Sequence, residues 1–124
     1  MLKNTKSENK LKGSLGEKLV CVYLDRYGYE IIEKNYRCTS GEVDVIFKDK
    51  LEIVFAEIKT RTSVEFGNPA EAVDLKKRKH ILNVARYYLY TKSLFENPVR
   101  FDVIEVYFNK DKPIINHIKN AFCE

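Results

Sequence analysis

Asp44, Glu57 and Lys59 are the residues of this 124-residue chain whose types and spacing suit chemistry on a phosphodiester. Asp44 lies in GEVDVIF, and Glu57 and Lys59 lie in VFAEIKTR, two apolar segments joined by the short polar stretch Lys48-Asp49-Lys50. Apolar and polar residues alternate through the first segment and a dense apolar run fills the second, so both read as strands of a hairpin. A two-residue turn at Asp49-Lys50 sets Asp44 opposite Phe55, with Glu57 one diagonal step away. Alternation then puts Asp44, Phe55, Glu57 and Lys59 on one face, and a slip by one residue would undo this. Neighbouring carboxylates repel unless a cation neutralises them, and hard oxygen ligands favour Mg²⁺ or Mn²⁺ over zinc. Asp44 and Glu57 are the expected metal ligands. Such an ion keeps positions for water and phosphate oxygens and acidifies the water toward neutral pH. Lys59, about 6.6 Å beyond Glu57 on the same face, can steady that water or the charge developing at phosphorus. Taken alone, the tripeptide Glu57-Ile58-Lys59 reads as a solvated ion pair on the polar face of a sheet. Its strongly apolar setting, where charge is costly, is what points to chemistry.

Positioning these residues requires an α/β domain with element order αβββαββ. Residues 1–10 are charged and lack apolar periodicity, which predicts a flexible arm; residues 11–124 form a single domain. A helix is expected over residues 11–27, with Leu11, Leu15, Leu19 and Val22 as its main apolar stripe. Glu17 falls on an adjoining flank with Gly13, Val20 and Leu24. Gly28 stops this helix, a strand covers residues 29–36, and residues 37–41 turn into the hairpin. Arg37, Thr39 and Ser40 in that turn suit either a phosphate or the turn's own shape. A long loop from Thr60 to Val73 follows the Glu57 strand and begins with Arg61, whose fork matches a phosphate bidentately. The second helix starts at the N-cap Asp74 and runs to Tyr90. Lys77 and Arg78, within its basic first turns, could reach a nucleic-acid backbone beside the cut. Strands over residues 100–108 and 114–118 complete the sheet. A whole helix separates the third strand from the fourth, so they should be parallel, joined by a right-handed crossover. An Arg100–Asp102 pair at the sheet end accounts for Asp102, and neither His80 nor His117 is given a chemical role.

The order of Glu17, Asp44 in GEVDVI, and Glu57 with Lys59 in FAEIKTR resembles the PD-(D/E)xK nuclease superfamily, which has the restriction-endonuclease-like fold and includes Holliday-junction resolvases. More closely, GSLGEKLVCVYLDRYGYEIIEKNYR, SGEVDVIF, VFAEIKTR, FGNPAEAVDLKKR, RFDVIEV and INHIKNAF resemble the YraN family of small bacterial proteins, from Gly13 to Phe122. The resemblance implies a mixed sheet flanked by helices, and metal-dependent hydrolysis of DNA by Glu17, Asp44, Glu57 and Lys59. It also implies a branched or structured substrate and a homodimer, and Lys77 matches a lysine common in the family. Val43 stands where the superfamily motif has proline, which is not a ligand.

Composition allows more than one function. A net charge of +4 is compatible with nucleic-acid binding without requiring it. The same basic surface suits a non-catalytic nucleic-acid-binding module, and nothing in the composition excludes a protein-interaction adaptor. No run reaches membrane-span length and the amino terminus MLKNTKSENKLKG is polar, so a cytoplasmic protein without membrane contact is expected. Cys21, Cys38 and Cys123 are too few and too scattered for a disulfide framework or a four-ligand zinc site.

Overall fold

The computed structural model describes residues 5–61, 74–108 and 112–123, with side chains from Gly13 onward. The elements are α1 (Thr5–Arg26), β1 (Glu30–Cys38), β2 (Gly41–Asp49), β3 (Glu52–Arg61), α2 (Leu75–Thr91), β4 (Val99–Phe108) and β5 (Pro113–Phe122). The expected αβββαββ order holds. One sheet contains all five strands in sequence order, and every adjacent pair is antiparallel except β3 and β4, which are parallel. This is the expected α/β arrangement, a mixed five-stranded sheet flanked by helices. Among the described residues no helix is long and apolar enough to cross a membrane.

Alternation along the strands divides the core into two layers. Ile53 and Phe55 of β3 and Phe101 and Val103 of β4 pack with Ile81, Val84, Ala85 and Tyr88 of α2. Val54 and Ala56, with Ile104 and Val106, pack instead with Val20 and Leu24 of α1. Each such side chain, fully removed from water, contributes about 1.5–3 kcal/mol. Asp74 caps α2 as expected, its carboxylate accepting the Lys77 N–H at 2.8 Å. Gly28 ends α1 with φ of 83°, a value that favours glycine, while the Tyr29 N–H returns to the Leu24 carbonyl at 2.9 Å.

Three local expectations are corrected. Helix α1 begins at Thr5, six residues ahead of Leu11, because lysine and glutamate sustain a helix without an apolar stripe. The buried side of α1 is the flank shared by Val20 and Leu24; Leu15 and Val22, expected to face the core, are largely exposed. The hairpin register differs by two residues from expectation. Asp49 pairs with Glu52 and Ile46 with Phe55, so the turn is Lys50-Leu51, with Lys50 at φ 57°. Arg100 gives a reason: its Nη1 donates to Asp49 at 2.7 Å and to Glu52 at 3.1 Å, which requires the two carboxylates to sit across from each other.

The remainder of the Arg100 guanidinium grips Asp102 through two 2.9 Å bonds, confirming the expected pair. Asp102 also meets His117 Nε2 at 2.7 Å and accepts the Asn120 N–H at 2.9 Å, while His117 Nδ1 meets the Tyr23 hydroxyl at 2.7 Å. This buried network ties α1, β4 and β5 to the hairpin turn. It leaves the other end of β3 to the functional residues.

Candidate functional site

The end of the sheet that carries the candidate residues is a fork. The β2–β3 ladder runs from Asp49↔Glu52 to Val45↔Ala56 and stops, while β2 continues against β1 and β3 continues against β4 as far as Arg61. Extended by one step, the register sets Asp44 level with Glu57, directly opposite rather than diagonal. Val43 and Val45, two residues apart, join different core layers, so β2 must twist through Asp44. The Asp44 carboxylate consequently lies between the parting strands, where Oδ2 accepts the Ile58 N–H at 2.8 Å. Because β3 and β4 are parallel, the fork also lies at the carboxyl end of a parallel pair, where open α/β sheets place their ligand crevices.

On the α2 side, Glu57 projects from β3 and is only 3% exposed. Burial and the neighbouring Asp44 charge push its carboxyl up to about 7 from the usual 4.5, against the pull of Lys77. Lys77 Nζ lies 3.0 Å from Glu57 Oε2. Although burial acts downward on Lys77, its bond and attraction to Glu57 prevail and raise it. Lys59 is lowered by burial and by the charge of Lys77. Two acids and two lysines thus act on one another's charge at the fork.

Glu17 approaches from the α1 side. It shares with Asp44, Ile58, Lys18 and Lys34 a cavity of about 470 Å³ between α1 and the sheet. Gly16 permits this approach: a Cβ there would stand 2.6 Å from Thr60 Oγ1. A β-carbon would hold the helix away from β3.

The remaining candidates divide. Arg61, the last residue of β3, lies on the Glu57–Lys59 face and donates from Nε to Glu105 Oε2 at 3.0 Å. Arg37 pairs with Glu42 at 2.9 Å on the surface. Arg78 sits 5.6 Å from the centre of the Phe122 ring. Thr62, Ser63, Phe66, Gly67 and Asn68 lie outside the described residues. Sequence reasoning placed Lys77 beside the nucleic acid and missed its contact with Glu57. It also missed Glu105, a buried carboxylate of β4, and the bonding of His117. Glu105 was the more detectable, since it interrupts the apolar stretch Val103 to Phe108.

A divalent ion is tested by the donor set. Among the described residues no group of three or more histidine, cysteine, aspartate or glutamate side chains is arranged to hold a metal. Two carboxylates are nonetheless what Mg²⁺ typically takes where phosphate and water fill its other positions. The ammonium of Lys77 already sits against Glu57 of this pair. Asp44 and Glu57 are thus the pair of oxygen donors that the described residues offer a hard divalent ion.

Comparison with known proteins places the chain. Residues 16–106 match the profile described as "Uncharacterised protein family UPF0102". The chain belongs to UPF0102. A UPF0102 protein of Clostridioides difficile (strain 630) is 51% identical over 114 residues, covering 92% of this chain and 98% of that protein. One from Caldanaerobacter subterraneus subsp. tengcongensis is 48% identical over 120 residues, covering 94% and 98%. UPF0102 is the YraN family that the sequence segments resemble. Among solved structures, Pyrococcus furiosus SfsA in complex with Ca²⁺ aligns at a TM-score of 0.36 and 13% identity, over 90% of this chain and 63% of its own, a likeness that carries no argument. The UPF0102 segment contains Glu17, Asp44, Glu57, Lys59, Arg61, Lys77 and Glu105 and ends before β5.

Proposed function

We propose that this chain is a divalent-cation-dependent nuclease that hydrolyses DNA phosphodiesters. The observation that carries the reading is the fork: Asp44 in the gap between β2 and β3, beside the buried Glu57 whose charge is answered by Lys77 of α2. Asp44 and Glu57 would hold Mg²⁺ or Mn²⁺. Bound there, the ion supplies Lewis acidity toward a phosphate oxygen and acidifies water. Lys59, on the same face of β3 as Glu57, steadies the attacking water or the charge developing at phosphorus. Glu17 completes the acidic group from the α1 side. Lys77, Arg61, Arg78 and Arg37 would extend basic contact along the backbone. A branched or otherwise structured DNA, a homodimer presenting two such sites, and a cytoplasmic location complete the proposal.

Cleavage of labelled duplex, flap, single-stranded and four-way-junction DNA in Mg²⁺ or Mn²⁺ tests it, with Asp44→Ala and Glu57→Ala prepared alongside. Activity that both substitutions abolish while folding persists is the expected result. No cleavage, or cleavage equal in the variants, refutes catalysis at this site. A second reading, a nucleic-acid-binding module without catalysis, is favoured by the Lys77–Glu57 pair itself, which neutralises the site without a metal. That reading predicts DNA binding unchanged or improved when the carboxylates are removed.

A further inference from the structure

Glu105 is the one buried acid near the fork that the proposed chemistry does not use. It is 1% exposed and stands in β4 one alternation step beyond Phe101 and Val103, which pack into the α2 core layer. In register it lies between Lys59 of β3 and Asn116 of β5. Both of its oxygens are engaged: Oε2 accepts from Arg61 Nε at 3.0 Å and Oε1 accepts from Asn116 Nδ2 at 3.0 Å.

Stability is a poor explanation for this arrangement. Desolvating a carboxylate costs several kcal/mol, and replacing a buried ion pair by packed apolar residues is often neutral or stabilising. A valine at position 105 would continue the apolar face of β4. The partner is informative as well. The Arg61 side chain remains 36% exposed while its Nε is held, so the guanidinium plane is fixed but reachable from solvent. Arg61 follows Lys59 by two residues and Glu57 by four on the same face of β3, about 6.6 and 13 Å along the strand. A guanidinium restrained in one plane loses less rotamer entropy on meeting a phosphate than a swinging one, and a planar fork suits bidentate contact.

We propose that Glu105 is a positioning residue, which with Asn116 holds Arg61 as a preset phosphate clamp one step beyond Lys59. The proposal rests on the nucleic-acid reading of the adjoining fork and names which cation contacts the backbone there. Glu105 touches no substrate itself. It acts through Arg61.

The test is binding of fluorescein-labelled duplex and four-way-junction DNA to the full chain in Ca²⁺, titrated between about 50 and 200 mM salt. Glu105→Gln keeps the shape and removes the charge that fixes Arg61. It is expected to weaken binding roughly tenfold, about the weight of one charge-assisted hydrogen bond, and to make the salt slope shallower by about one. Arg61→Ala should do the same, and the double variant should be no worse than Arg61→Ala alone. Arg61→Lys, at a part-exposed position that tolerates change, retains charge without the fork and should lose as much as Glu105→Gln even if the latter folds poorly. Binding by Glu105→Gln that is equal or tighter with an unchanged slope, or full affinity in Arg61→Lys, overturns the clamp while leaving the fork's function standing. No salt-dependent binding by the unmodified chain would refute the clamp together with the reading beneath it.

Discussion

Replacing Glu57 by glutamine should stabilise the protein at neutral and alkaline pH. The folded chain raises this carboxyl to about 7 from 4.5, first through burial and then through the Asp44 charge. An acid raised on folding binds more protons in the native than in the unfolded state between those two values, so stability falls as pH climbs through that window. The loss is absent below about pH 4.5 and complete above about pH 7. At about 1.4 kcal/mol per pH unit, the interval from 4.5 to about 7 corresponds to about 3 kcal/mol. Glutamine has nearly the same shape and does not titrate, so Glu57→Gln should match the parent at about pH 4 and exceed it by up to about 3 kcal/mol near pH 8. Urea unfolding followed by far-ultraviolet circular dichroism across that range measures the difference directly. A divalent ion binding the native carboxylate pair should restore part of the parent's deficit and do nothing for the variant. Stability curves that stay parallel from about pH 4 to pH 9 would refute the reasoning, because they would mean that Lys77 fully offsets the burial of the charge.

Other perturbations separate the parts of the site. Lys77→Met removes the resident ammonium; a charge-assisted bond is worth about 1.5–3 kcal/mol, and screening of a half-exposed lysine reduces this to about 1 kcal/mol. Mn²⁺ should therefore bind roughly fivefold tighter to Lys77→Met in calorimetry at about pH 8.5, where Glu57 is ionised, and weaker binding would show that Lys77 organises Glu57 rather than competing with the ion. Gly16→Ala should destabilise by about 1–3 kcal/mol, since the new Cβ meets Thr60 Oγ1 at 2.6 Å. In a Thr60→Ala background the same change should stabilise by up to about 1 kcal/mol, the helix preference of alanine, and thermal melts of the four proteins decide it. Burial opposes ionisation of Asp102, but its bonds to His117, Arg100 and the Asn120 N–H outweigh that and hold it below the usual range. Its charge thus supports the fold above the ordinary value of 3.8 and is lost as the solution is acidified further. Asp102→Asn should cost about 3–5 kcal/mol at neutral pH, a deficit that narrows in strong acid, measured by the same urea titrations.

Which residues could be found from sequence followed from how far their partners lay along the chain. Strand parity is local: Glu57 and Lys59 were assignable to one face because alternation has a period of two, and a register error of two residues preserved that face while changing Glu57 from diagonal to level with Asp44. The error itself was not local, because Arg100, some fifty positions from the turn, selects the pairing of Asp49 with Glu52. Helix α1 shows the same division. Its periodicity revealed two apolar flanks, but the choice between them depended on Gly16 meeting Thr60 and on Tyr23 meeting His117, contacts across 44 and 94 residues. That choice turns Glu17 toward the fork. Lys77 was legible as one cation in a basic run, yet nothing in the run distinguished it from Lys76 or Lys79; the cap at Asp74 sets the rotation of α2 that sends position 77 to Glu57. An isolated charge within an apolar strand was the signal available for the rest. Applied to Glu57 it led to the carboxylate pair, and applied with equal weight to Glu105 it would have led to the buried acid that holds Arg61.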